Sequence, residues 1–351
     1  CYYDYMKGDG FATRIVIGDD GKPTCEMELD DGPVVTGSFD LVPLLEDFIA
    51  EHPDFSYKGA SPALMGACAR KGIQLTFLTP RGRFLARVCG REQGNVLLRK
   101  EQYRLSDNLE KSCHIARNFI FGKVYNQRWV LERTLRDHRM RVDAAKLESA
   151  SQALAGLLPA IETQTDLDAL RGLEGEASVR YFHVFDEMVL NQKADFLFDG
   201  RNRRPPTDNM NALLSFAYVL LSNDCASALE SVGLDSYVGF MHRDRPGRTS
   251  LALDLMEELR APMADRLCIT LVNNRVLQDK HFERQESGAV FLGEDGRKLF
   301  LSAWQTKKKE EITHPYLKEK MAWGLVPYVQ SLLLARCLRG DLDGYPPFLW
   351  K

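Results

Sequence analysis

Apolar and polar residues follow two different rhythms along the chain. Up to about residue 105 the runs are short. "RIVIGDDGKPTCEMEL" (14–29) sets two strand-like runs around an acidic glycine turn, which predicts a hairpin. "IQLTFLT" and "RFLARVC", split by "PRG", predict a second one. "DLVPLLEDFIAEH" (40–52) and "SPALMGACARKG" (61–72) have helical spacing, and the latter opens on Ser-Pro and closes on glycine, as helix ends prefer. From Ser106 onward apolar residues recur every three or four positions. The stretch 106–141 predicts one or two long helices, with Asp107 and Glu110 spaced like a capping box. Segments 143–162, 173–193, 207–231, 250–262 and 315–338 continue the pattern, divided by polar breaks such as "DGRNRRPPTDN". No internal repeat is visible. The pattern predicts an α+β chain, with a small β-rich N-terminal domain over residues 1–105 and a larger all-helical domain over residues 106–351.

Composition adds bounds. A length of 351 residues suits about two domains, and 44% hydrophobic with 27% charged residues is ordinary for a globular protein. The net charge of -3 means that any basic surface is local. Eight cysteines without a C-x-x-C predict buried thiols in a reducing cytoplasm. No uninterrupted apolar run reaches the roughly 18 residues of a membrane span and no signal peptide is recognisable, so no membrane is expected. The first residue is Cys1 rather than Met, which leaves room for a start of the reading frame upstream.

A few residues break their local pattern. In "GLEGEASVRYFHVFDEMVL" (172–190), Ala177, Ser178, Tyr181, Phe185 and Met188 share one helical face, and the same period reaches back to Glu174. A carboxylate on an apolar stripe is costly unless paired or bound to a cation; a place in the first helical turn is the simpler reading and is favoured on pattern alone. In "GFMHRDRPGRTSLALDLMEELR" (239–260), Leu251, Leu255 and Leu259 form the core face of a helix starting near Ser250. Asp254 and Glu257 then share a flank, with Glu258 nearer the leucine edge, and by itself such a flank reads as solvated.

His242 alone is more often a hydrogen-bonded core residue than a ligand. In combination, one imidazole and two or three carboxylates form a mixed nitrogen and oxygen donor set that suits Mg2+ or Mn2+. Arg243, Arg245 and Arg248 lie between them beside a helix N-terminus, where phosphate is attracted. Hard cation and phosphate loop together point to phosphodiester chemistry. The stretch 111–141 holds eight Lys or Arg against two acids, Arg128, Arg133 and Arg136 among them, and supports a nucleic-acid partner. "RNRR" (201–204) and "KKK" (307–309) read equally well as loop solubilisers. The phosphate-loop, zincin, serine-elbow and dinucleotide fingerprints are absent.

"GLEGEAS", "RNRRPPTDNMNALLSFAYVLL" and "GFMHRDRPGRTSLALDLMEELRAPMADRL", in that order and spacing, resemble the CRISPR-associated integrase family of spacer acquisition, the first of the CRISPR-associated proteins. The closing "HPYLKEKMAWGLVPYVQSLLLARCLRGDLDGYPPFLWK" resembles its subtype I-C branch. The likeness runs from about Phe55 to Lys351; residues 1–54 do not match the family's opening strands and faintly resemble transposase sequence, as a fusion or mis-joined frame would.

The resemblance implies a cytoplasmic enzyme of antiviral defence, a metal-dependent endonuclease and integrase in which the 3′-hydroxyl of a captured DNA fragment attacks a phosphodiester at the CRISPR repeat. It implies Glu174, His242 and Glu257 as catalytic metal ligands for Mg2+ or Mn2+, and Asp254 as a further ligand or an orienter. Arg243, Arg245, Arg248, Arg128, Arg133 and Arg136 would hold double-stranded DNA. It further implies a homodimer working with CRISPR-associated protein 2, and in this subtype with CRISPR-associated protein 4. The rival readings are a DNA-binding scaffold that keeps the fold without activity, and a general structure-selective nuclease.

Overall fold

The computed structural model describes the backbone of residues 11–17, 23–29 and 35–38, together with residues 60–70, 76–78, 84–88, 95–202 and 205–351. Contacts divide the chain into two compact units, Cys1–Ala60 and Ser61–Lys351.

In the first unit, β1 (Phe11–Ile17), β2 (Pro23–Leu29) and β3 (Val35–Ser38) form an antiparallel sheet in that order. Phe11 pairs with Leu29 and Ile17 with Pro23, so the hairpin expected over 14–29 is present and gains a third strand. The helix expected over 40–52 lies outside the described residues.

The second unit begins with α1 (Pro62–Arg70), whose amide at Leu64 is capped by the Ser61 hydroxyl, and the hairpin β4 (Thr76–Leu78) and β5 (Phe84–Arg87). Next comes α2 (Val96–Ser106). The buried Gln102 of α2 donates to the carbonyls of Asp235 and Val238 and accepts from the Asp235 amide, while Arg99 donates to the Gly233 carbonyl. Those bonds tie α2 to the segment 233–238 within the same unit.

The spine is α3 (Leu109–His138), thirty residues long. Its N-cap is Asn108, whose side chain accepts from the Lys111 amide, and Asp107 closes α2 instead of opening a capping box. Ala116, Phe119, Ile120, Val124, Leu131 and Leu135 bury one side of it, and α4 (Ala144–Glu162), α5 (Leu167–His183) and α7 (Ser250–Leu259) pack along it. α6 (Asn209–Ser231) lies against α7 and α10 (Val326–Leu338). By length and composition α6 could cross a membrane, although polar residues interrupt its apolar run. Here it is a core helix with Leu213, Leu214, Ala217, Leu221 and Leu229 buried.

A π-helical turn, Arg260–Asp265, joins α7 to α8 (Arg266–Asn273). Pro262 has no N–H to give the Glu258 carbonyl four residues back. The buried Asn126 of α3 takes that place, donating Nδ2 to it at 2.6 Å. Asn126 also binds the carbonyl of Phe348 at 2.7 Å and the amide of Trp350 at 2.8 Å, which draws the segment after α10 into the core.

The helical domain is not wholly helical. The hairpins β6 (Phe282–Arg284) with β7 (Val290–Leu292), and β8 (Glu311–Thr313) with β9 (Lys320–Ala322), flank α9 (Glu294–Lys309). The periodicity over 315–338 is helical only from Val326, because the buried His314 ring accepts the amides of Tyr316 and Leu317 and closes a turn there. "KKK" forms the last turn of α9, where cations meet the negative helix end. Cys68, Cys113, Cys225 and Cys268 are buried free thiols, and burial pushes those of Cys225 and Cys268 well up.

Candidate metal centre and DNA-facing loop

The helix α5 starts with Asp166, which accepts the Ala169 amide at 2.6 Å. Glu174 is therefore two turns into the helix, and the first-turn reading of its charge fails. Its carboxylate turns toward α3, accepting the Ser178 hydroxyl at 2.9 Å and the ammonium of Lys123.

On α7 the leucine face is as expected, with Leu251, Leu255 and Leu259 fully buried. The acidic flank is not solvated, however: Asp254, Glu257 and Glu258 are all buried. Each has its own set of partners.

Asp254 accepts the backbone amides of Phe240 (2.6 Å), Met241 (2.9 Å) and His242 (3.0 Å), and Nδ1 of His242 at 2.6 Å. This nest needs Gly239, since a Cβ there would stand 2.9 Å from Asp254 Oδ2 and from the backbone of Ser250. A carboxylate can only accept, so Nδ1 of His242 carries a hydrogen and Nε2 is the ring's outward atom. Nε2 faces Glu257 Oε1 across 3.9 Å.

Glu257 lies between two cations. Arg260 reaches Oε1 at 3.0 Å and Lys123 approaches Oε2 at 2.8 Å, an ionic contact without the alignment of a hydrogen bond. Burial alone would push the Glu257 carboxyl up, but Arg260, Lys123 and His242 outweigh it and hold it at about 2. Glu258 belongs to another network: it accepts from Gln330 Nε2 (2.9 Å), the Tyr345 hydroxyl and the Phe348 amide (2.8 Å). Burial pushes it up to about 7 against those bonds.

Lys123 thus bridges Glu174 and Glu257, and His242 presents Nε2 to Glu257. The donor set suits a hard divalent cation: one imidazole nitrogen, two carboxylates, and a buried Glu257 oxygen without a hydrogen bond. Among the described residues no three of these groups already meet at metal-binding distance, because the Lys123 ammonium stands between the glutamates. In front of them opens a cleft of about 930 Å³, lined by Lys123, Glu174, Arg201, Arg260, Tyr218 and Phe182 among others.

The basic loop is anchored at its base. Arg171 of α5 donates to the Met241 carbonyl at 2.8 and 3.1 Å, and Arg243 pairs with Asp168 at 3.1 Å. Arg245 is exposed on a turn closed by the Arg248 amide, with Gly247 at a φ of 74° supplying the left-handed residue. On α3 the charges do not form one free stripe. Arg128 lies over Trp129 and near Glu132, Arg133 lies over Trp350 and near Asp137, and Arg136 pairs with Asp137 at 2.9 Å. Lys123 is only 3% exposed.

Residues 55–306 match the family model described as CRISPR associated protein Cas1. The chain belongs to the Cas1 family of CRISPR-associated endonucleases. A Cas1 endonuclease of Rhodospirillum rubrum is 54% identical over 83% of this chain and 85% of its own length. Among solved structures, a casposase bound to integration product has a TM-score of 0.71 at 20% identity, covering 96% of this chain and 90% of the other. A partial Cas6-RT-Cas1–Cas2 complex has a TM-score of 0.64 at 21% identity, covering 98% of this chain and 97% of that one. At these identities the structural likeness is one of fold. Residues 1–54 and 307–351 both lie outside the family-model match.

Two further residues of this cluster, Lys123 and Arg260, do not stand out in the sequence. Lys123 was counted as one more charge in a basic run, although it falls on the apolar face with Ala116, Phe119 and Ile120. Arg260 follows the helix pattern, but its contact with Glu257 follows from ordinary i,i+3 spacing.

Proposed function

We propose that this Cas1-family protein is a divalent-cation-dependent DNA integrase and endonuclease of CRISPR adaptation, with Glu174, His242 and Glu257 as ligands. The observation that carries the reading is the fixed tautomer of His242, whose Nε2 is aimed at Glu257 by Asp254. Asp254 is the orienter in this reading, since four hydrogen bonds already engage its two oxygens. A Mg2+ or Mn2+ bound there would lower the pKa of an attacking hydroxyl and offset charge on the phosphoryl oxygens.

The protein's own groups do the rest. Arg260 and Arg201 line the cleft and would bind phosphate, and both guanidinium groups lie over the Tyr218 ring, at 5.0 and 5.2 Å from its centroid. Arg243, Arg245 and Arg248 would hold the double-stranded DNA backbone beside α7. In the transfer, the 3′-hydroxyl of the captured strand gives up its proton to solvent and its oxygen forms a bond to phosphorus as the repeat's P–O3′ bond breaks, and the departing 3′-oxygen takes up a proton from solvent. Arg128, Arg133 and Arg136 would meet DNA beyond the cleft, with Arg136 about 20 Å along α3 from Lys123.

The fold likeness to a Cas1–Cas2 assembly supports Cas2 as partner. A cytoplasmic homodimer served by Cas4 completes the reading, as the family resemblance implies. The test is joining of a labelled duplex into a repeat-containing plasmid with Mn2+. Joining that survives in His242→Ala would overturn the reading. DNA binding without joining by the unmutated chain would favour the scaffold instead, for which the departure of residues 1–54 is the supporting observation.

A further inference from the structure

Lys123 is an unusual residue to find at the centre of a cation site. Its side chain is 3% exposed, it touches both candidate ligand carboxylates, and it comes from α3, a helix that contributes no candidate ligand. The approach is built in. The neighbouring Gly122 lets α3 come so close to α7 that a Cβ there would stand 3.0 Å from Glu258 Cβ and 3.2 Å from Pro347 Cβ. Three residues on, Asn126 fixes the same helix to the Glu258 carbonyl. The backbone that carries Lys123 is therefore fixed against α7, and in this state its ammonium is directed at Glu174 and Glu257.

We infer that Lys123 is a positioning residue, a resident counter-ion that holds Glu174 and Glu257 together until a divalent cation displaces it. This rests on the metal-site reading above. Two carboxylates at hydrogen-bonding distance from one point repel strongly in a buried setting, and the ammonium offsets that repulsion. A divalent cation needs the same oxygens. Its binding must move the ammonium off at least one glutamate, toward the cleft that Lys123 already lines, where a phosphate of bound DNA is its natural next partner. Metal loading and DNA loading would then favour one another, since each stabilises the displaced lysine.

The test compares Lys123→Met, which keeps the length of the stem and removes the charge, with the unmutated full chain. Thermal melts are recorded without metal and with Mn2+, and Mn2+ binding is measured by calorimetry. The metal-free melting temperature of the variant should fall by several degrees, and Mn2+ should restore it by a larger increment than in the parent. The dissociation constant for Mn2+ should be lower by about tenfold, the scale of losing one buried ion-pair competitor. A merely structural lysine would lower stability and leave Mn2+ affinity equal or weaker, which would overturn the proposal.

If Lys123→Met does not fold, the parent answers alone. Acetylation of Lys123, followed by mass spectrometry at limiting reagent, should speed up when Mn2+ is added, and an unchanged rate would overturn the proposal. A parent that binds Mn2+ with Glu174 and Glu257 both mutated would instead defeat the metal-site reading itself.

Discussion

Asp254 accepts the Nδ1 hydrogen of His242 at 2.6 Å while also accepting the His242 backbone amide at 3.0 Å. One carboxylate therefore fixes both the ring and the backbone that carries it. Asp254→Asn would offer an N–H2 to one or more of these donors. DNA cleavage with Mn2+ should fall by about 10- to 100-fold, the usual effect of losing a ligand's supporting carboxylate. Stability should fall by about 1–3 kcal/mol as buried amides lose their acceptor. Cleavage rates and urea unfolding measure the two effects, and full activity would deny Asp254 its orienting role.

Glu174→Gln and His242→Ala should both abolish Mn2+-dependent strand joining. Affinity for DNA measured in EDTA should stay within about twofold, because phosphate contacts come from other residues. Loss of binding along with joining, with an unchanged melt, would place these residues in the DNA contact surface instead.

Stability should depend on pH in a definite direction. Burial raises Glu258 to about 7 and Asp265 to about 6, the latter against hydrogen bonds from Tyr218 and Tyr181. Folded protein thus retains protons that unfolded chain releases, so the contribution of these two groups is fully present below the ordinary carboxylate range and declines as pH rises toward 7. Glu257, held at about 2, acts the other way: its contribution is present above the ordinary carboxylate value and lost only as pH falls toward 2. Urea unfolding at pH 5 and pH 8 should show the first trend. Glu258→Gln, although destabilising at its own site, should flatten it; an equally steep slope would assign the dependence elsewhere.

Arg245→Glu should weaken DNA binding for all sequences alike and reduce the dependence on salt, with the log–log slope smaller by about one. Arg136→Glu is the sharper comparison, because Arg136 is already paired with Asp137. If only the α3 variant weakens binding, the DNA path runs along that helix and not over the 243–248 loop. Fluorescence anisotropy across a salt series separates the two.

Much of this was legible in the chain, for reasons that differ by residue. The hairpin at 14–29 and the helices at 144–162 and 209–231 follow from local rhythm, which tertiary contacts did not override. Glu174 was visible because a charge on an apolar stripe breaks a pattern. Lys123 breaks the same pattern, but a run of neighbouring cations concealed it. The burial of Asp254 and Glu258 was not legible. It depends on the loop at Gly239 and on the segment around Phe348, which reach α7 from 15 and 90 residues away along the chain. The α9 helix was overlooked because its glycine and lysines resemble a loop, while Phe300 and Trp304 supply its buried face.

The π-turn at Arg260–Asp265 makes this part of the chain intolerant of changes in length. The Arg266 amide bonds to the carbonyl of Ala261, five residues back rather than four. Removing one residue from the turn would restore ordinary α-helical bonding and rotate everything after it by about 100°. Leu267, Cys268, Leu271 and Val272, now directed inward, would be turned out of the core. Glu257 and Arg260 would keep their local spacing while the scaffold behind them came apart. A single-residue deletion in the exposed 243–248 loop shortens a turn, whereas the same deletion a dozen residues later changes which side of a helix the protein is built on.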